Sequence, residues 1–259
     1  MSDAPDNCFI PLGQEGLRDL IPSQLNDPFT VPPPEIAQIA VNHLCQYIEA
    51  HQEDWQQNFG FSASKKAPVK GKMFGVLVVK DVNGRLGYLA TFSGKFTGAS
   101  HPEIFVPSLF DVSTNNHFIT KGMRELSALG EEINTYEKQD DKQAKQAALA
   151  LRQKRKEKSQ TLQEELFSHY HFLNNARQKK SLVDIFKDYN SMKPPSAAGE
   201  CAAPKLLQYA YENKMEPLAI AEFWWGKTAK PVERQHRHFY PACENKCRPI
   251  LGYMLGVSS

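Results

Sequence analysis

Residues 72–96 read KMFGVLVVKDVNGRLGYLATFSGKF, two apolar runs rich in β-branched and aromatic residues on either side of Asn83-Gly84. Asn-Gly adopts the positive φ that a tight turn requires, and Val, Leu, Tyr and Phe suit a pleated, buried surface, so the stretch predicts a β-hairpin. Each apolar run needs a partner. Residues 217–226, PLAIAEFWWG, supply a third strand for the same sheet. Ahead of the hairpin, residues 35–55 place Ile36, Ile39, Ala40, Leu44, Tyr47 and Ile48 at three- and four-residue spacing behind a proline-containing lead, the pattern of an amphipathic helix. Residues 203–213, APKLLQYAYEN, give a shorter helix, and YPACENKCRPILGYML, residues 240–255, opens another. The expected fold is α/β: a small mixed sheet flanked by helices, in the order helix, strand, strand, helical insertion, helix, strand, helix.

The insertion is marked by composition. Residues 121–187 are dominated by Glu, Lys, Gln, Arg, Ala and Leu, with no Pro and two Gly, as in long helices. The chain therefore divides into a lead (1–34), an α/β domain (35–120 with 190–259) and an inserted helical arm (121–189). Ala144, Ala148, Leu151, Leu162, Leu166, Tyr170 and Leu173 form a stripe along the arm, interrupted by Arg155 and Lys158. The run RQKRKEK, carrying Arg152, Lys154, Arg155, Lys156 and Lys158, reads either as a solvated face or as a phosphate-contacting patch.

A hydrophobic share of 41%, a charged share of 23% and a net charge of +2 in 259 residues describe an ordinary globular chain, so a case for nucleic acid must rest on local clusters. MFGVLVV, residues 73–79, is far shorter than the roughly 20 apolar residues of a membrane span. The acidic start MSDAPDNCFIPLGQ lacks the features of a secretory signal, and the expected setting is the cytoplasm, with no membrane partner.

Five cysteines, an odd and unevenly spread set, argue for reduced thiols or a metal. Cys8 and Cys45 read as small buried hydrophobes. Cys201 stands just before one expected helix, while Cys243 and Cys247 open another at i and i+4, on one face. Zinc prefers such sulfur ligands, and thiolates are favoured at helix N-termini. Three thiolates would leave a fourth position, for which His236 and His238 are candidates; three buried thiols without metal are the other reading. EFWWG and ERQHRHFY bring Trp224, Trp225, Arg234, His236 and Arg237 together, aromatic faces beside cations that suit unstacked RNA bases or, alternatively, a packed core.

This strand order and these cysteines resemble the cytidine deaminase superfamily, whose zinc is held by a His or Cys on one helix and a Pro-Cys-x-x-Cys on the next. That family's general acid/base, a glutamate two residues after the first ligand, corresponds to Ala203, and the Cys pair here is one residue wider. Glu200 and Glu222 are the candidate replacements. More specifically, GECAAPKLLQYA, PLAIAEFWWG and YPACENKCRPILGYML, with the hairpin and HPEIFVPSLFD, resemble the N-terminal extension of RluA-type RNA pseudouridine synthases. That resemblance implies an RNA-modification setting. The family's catalytic Arg-Leu-Asp is missing, since Arg85-Leu86 is followed by Gly87. The expectation is a noncatalytic, RNA-facing accessory module whose catalytic domain is encoded elsewhere; a divergent zinc hydrolase and a dimerisation protein are the alternatives.

Overall fold

The computed structural model describes residues 8–13, 16–98, 102–110, 117–139, 141–228 and 234–256. At its centre, strand β2 (Lys72–Lys80) pairs antiparallel with β3 (Leu86–Phe92), from Phe74 opposite Phe92 to Lys80 opposite Leu86. The turn is longer than two residues. Asp81 closes it, its Oδ1 accepting the amides of Asn83 and Arg85 at 2.9 and 2.8 Å, while Gly84 takes a φ of 75°.

On its other edge β2 pairs antiparallel with β6 (Glu216–Trp225), from Lys72 opposite Trp225 to Lys80 opposite Glu216, with a register shift at Val78/Val79. Short strands β1 (Ile10–Pro11) and β7 (Phe239–Tyr240) complete the order β1-β3-β2-β6-β7. The named pairs are all antiparallel; a single parallel bridge joins Ala90 to Phe105.

Near-continuous apolar sequence in β2 and β3 has its cause in cover on both faces. Phe74, Val76, Val78, Tyr88, Ala90 and Phe92 join Ile36, Ala40, Leu44 and Ile48 of helix α1 (Glu35–His51) in one buried cluster. Each large side chain so buried contributes about 1.5–3 kcal/mol. The opposite face receives helix α5 (Ala202–Glu212). Gly75 is the contact point: a Cβ there would lie 2.8 Å from Ala202 Cβ, so glycine is what lets the first turn of α5 settle on β2. Helix α6 (Glu244–Leu255) is tied to α5 by the Tyr211 hydroxyl, which donates to the Met254 carbonyl at 3.3 Å. Cys8 and Cys45 are buried, and burial pushes the Cys45 thiol up to about 11.

Residues 110–171 with 181–183 form a second compact unit. Within it, helices α2 (His117–Glu137) and α3 (Lys142–Ser168) run antiparallel, with Leu162 against Gly122, Arg155 against Leu126 and Arg152 against Glu137. Asp141 caps α3, accepting the Ala144 amide at 2.8 Å. The interruptions of the apolar stripe cross the helix pair: Arg155 Nε donates to the Leu126 carbonyl at 3.1 Å, and Lys158 pairs with Glu125. The stripe stops earlier than its spacing suggests, because α3 ends at Ser168 and Leu173 falls in strand β4 (His171–Leu173). Strand β4 pairs with β5 (Lys179–Ser181), and helix α4 (Leu182–Asn190) follows. Among the described residues no helix is long and apolar enough to cross a membrane.

Candidate metal centre

Cys201 is the N-cap of α5 and Cys243 the N-cap of α6, positions where Ser, Thr, Asp or Asn normally accept an amide. The Cys201 thiol makes no such bond. The sulfurs instead meet: Cys201 Sγ lies 3.7 Å from Cys243 Sγ, which lies 3.3 Å from Cys247 Sγ, and all three fall within 4.8 Å of one another. Thiolates around a tetrahedral ion with metal–sulfur bonds of about 2.3 Å sit roughly 3.8 Å apart, so the spacing suits a metal. None of the five cysteines is joined in a disulfide.

Hydrogen bonds from Cys201 and Cys247, with the amides of Lys246 and Cys247, pull the Cys243 thiol down to about 2. The bond with Cys243 pushes Cys201 up to about 12, and the bonds with both partners push Cys247 up as well. The start of α6 thus favours the anion on Cys243, and a metal binding thiols displaces their protons.

Charged groups surround the sulfurs beneath the surface. Glu222, on β6 and 8% exposed, accepts the Ala203 amide on Oε1 at 3.0 Å. Burial raises its carboxyl to about 7, against the opposing pull of that amide. A carboxyl group thus reaches the amide of position 203 from the facing strand. Glu200 lies just ahead of Cys201, its carbonyl accepting the Gly94 amide at 2.9 Å. Lys205, one turn beyond Cys201 and 1% exposed, donates to the Phe92 carbonyl at 2.5 Å. Burial lowers its ammonium to about 8, although Glu200, Cys201 and Glu222 all favour the charged form. Lys72 donates to the Ser93 carbonyl at 3.4 Å and to that of Lys95, and burial lowers it likewise to about 8. Neither lysine stands out in the sequence; a charge at i+4 from Cys201 on an apolar helix face is the signal that marks Lys205.

His236 and His238 do not join the three sulfurs among the described residues. His236 Nδ1 accepts the Gly226 amide at 3.2 Å, with its ring 4.4 Å from that of Trp225, and His238 Nδ1 lies 3.2 Å from the His236 carbonyl. Trp225 is fully buried in the core cluster, which removes it as a stacking platform for a base. Trp224 is half-buried, with Arg234 over its ring at 5.1 Å and over that of Tyr240 at 5.5 Å. Arg237 donates to Glu49 at 3.0 Å. Residues 229–233 of this loop lie outside the described residues. Of the basic run on α3, Arg152 pairs with Glu137 and Lys158 with Glu125, whereas Lys154 and Lys156 are exposed and form no ion pair among the described residues.

Comparison with protein-family models, with curated proteins and with solved structures finds no match.

Proposed function

We propose that these residues form a zinc-tied, noncatalytic accessory module that faces RNA in the setting of an RluA-type pseudouridine synthase. The observation that carries the zinc is the meeting of Cys201, Cys243 and Cys247 within 4.8 Å at the starts of two helices. A metal there ties α5 to α6 beside the sheet, the work of a structural site, and thiolate ligands favour zinc over hard cations. The RNA setting rests on the sequence resemblance and on the exposed Lys154 and Lys156. No Arg-Leu-Asp occurs in the 259 residues, so the chain itself should not isomerise uridine.

The test is a gel shift of the purified chain against structured RNA over a salt titration, with pseudouridine measured after incubation. Salt-sensitive binding without pseudouridine supports the reading. Pseudouridine formed by the chain alone overturns it.

A second reading, a deaminase-like zinc hydrolase, draws on the bond from the Ala203 amide to Glu222, which puts an acid/base group beside the cysteines. Ammonia release from cytidine or adenosine, lost in Glu222→Gln, would favour it over the first.

A further inference from the structure

The largest of the clefts described, about 890 Å³ in volume, lies between the segment 24–29, the β4–β5 turn, the end of α5 and α6; none of the three cysteines lines it, although Arg248 follows Cys247. This is the size of a small-molecule site. Two of its wall residues have a backbone ill-suited to them. Lys214 has a φ of 57° at the end of α5, where the Met215 amide bonds the Ala210 carbonyl at 2.8 Å and the Lys214 amide bonds that of Tyr211 at 3.3 Å. That is a Schellman motif, and its left-handed residue is ordinarily glycine. Arg177 has a φ of 59° in the β4–β5 turn, where its amide bonds the Asn174 carbonyl at 2.7 Å and the Asn174 amide bonds the Gln178 carbonyl at 3.0 Å. In such three-residue hairpin loops the left-handed position again favours glycine.

Two glycine positions thus carry long cations, and both cations line one cleft. Neither forms an ion pair among the described residues, so intramolecular pairing does not account for them. The acids on the same wall are engaged: Glu216 faces Lys80 at 3.9 Å, and Asp27 Oδ1 accepts the Phe29 amide at 2.9 Å. A third cation, Arg248, is clasped by Glu244 and lies 4.0 Å over the Phe29 ring. Tyr189, 37% exposed, adds a second ring to the lining.

We infer that this cleft binds a nucleotide, its phosphate on Lys214 and Arg177 and its base against the Tyr189 and Phe29–Arg248 faces. Cations beside planar rings match both halves of that ligand. The nucleotide is either free or one unit of a single strand. The proposal does not rest on the synthase setting.

The experiment uses the full chain, a fluorescein-labelled ten-residue oligouridylate and fluorescence anisotropy, with uridine monophosphate, unlabelled oligouridylate and inorganic phosphate as competitors. Competition by the monophosphate identifies a free nucleotide; competition by the oligomer alone identifies a strand. The Lys214→Gly/Arg177→Gly double variant should bind at least tenfold more weakly while melting no lower than the parent, because glycine fits both backbones. Its salt slope should fall by roughly 0.7 for each cation withdrawn from the phosphates. Lys214→Arg should retain affinity, and Tyr189→Ala should weaken it. Absence of binding by both oligomer and monophosphate, unchanged affinity in the double glycine variant, or competition by inorganic phosphate equal to that by the monophosphate each overturns the assignment.

Discussion

Glu222 on β6 and Ala203 on α5 are joined by a 3.0 Å bond from the helix amide to the carboxylate, placing an acidic group beside the three sulfurs from the strand side. With Glu222 at about 7 in the fold and its ordinary value of 4.5 when unfolded, the folded chain holds a proton that the unfolded chain has lost between those limits. Stability contributed through this group therefore falls as pH rises from 4.5 to about 7 and is level above. Glu222→Gln should remove that slope, a difference of about 3 kcal/mol between parent and variant across the window. Urea titrations of the metal-free proteins at both ends measure it; a parent that parallels the variant contradicts a buried, raised carboxyl.

Gly75 is where α5 meets β2. Gly75→Val forces a side chain into a space where Cβ alone would lie 2.8 Å from Ala202, and overpacking of this kind costs about 1–3 kcal/mol. Because Ala202 follows Cys201, zinc affinity should fall together with stability. Denaturant midpoints and a zinc competition assay on the same variant check the coupling.

How much of this is legible in the sequence varies with the range of the forces involved. The hairpin and its pairing with β6 follow from local apolar runs, and the three cysteines from the match between ligand type and helix starts. The strands β4 and β5 are hidden, since three-residue strands between long helices carry little pattern of their own. Trp225 is ambiguous for a different reason: an aromatic at a strand end suits either a core or a base, and only the packing of α1 and the residues after it buries this one. Lys205 reads as a solvated charge until the fold directs it at the Phe92 carbonyl. The cations at Arg177 and Lys214 look ordinary without their φ values.

Arg155, bonded across the helix pair, and Lys154 and Lys156, which form no ion pair among the described residues, should behave differently. Lys154→Gln with Lys156→Gln should leave thermal stability within about 0.5 kcal/mol, as exposed substitutions do, and weaken RNA binding in a gel shift. Arg155→Gln removes a bond to the Leu126 carbonyl and should cost about 1 kcal/mol in the helix pair. Equal effects of the two changes on stability would contradict this division.

Chelation offers a simple view of the metal's structural role. If zinc ties α5 to α6, a strong chelator should lower the melting temperature of the parent by several degrees, since a loss of about 2 kcal/mol shifts a domain of this size by roughly 4–8 °C. Cys201→Ser should melt near the chelated parent and ignore the chelator. Differential scanning calorimetry with and without chelator distinguishes this from thiols packed without metal, for which the parent would be equally indifferent.

The most direct measurement of the central claim is X-ray absorption at the zinc edge on the full chain purified without added metal. The account predicts one zinc per chain with three sulfur neighbours at about 2.3 Å and one lighter neighbour at about 2.0–2.1 Å. A chain that carries no zinc and takes none up on titration, or a zinc shell without sulfur, would contradict it.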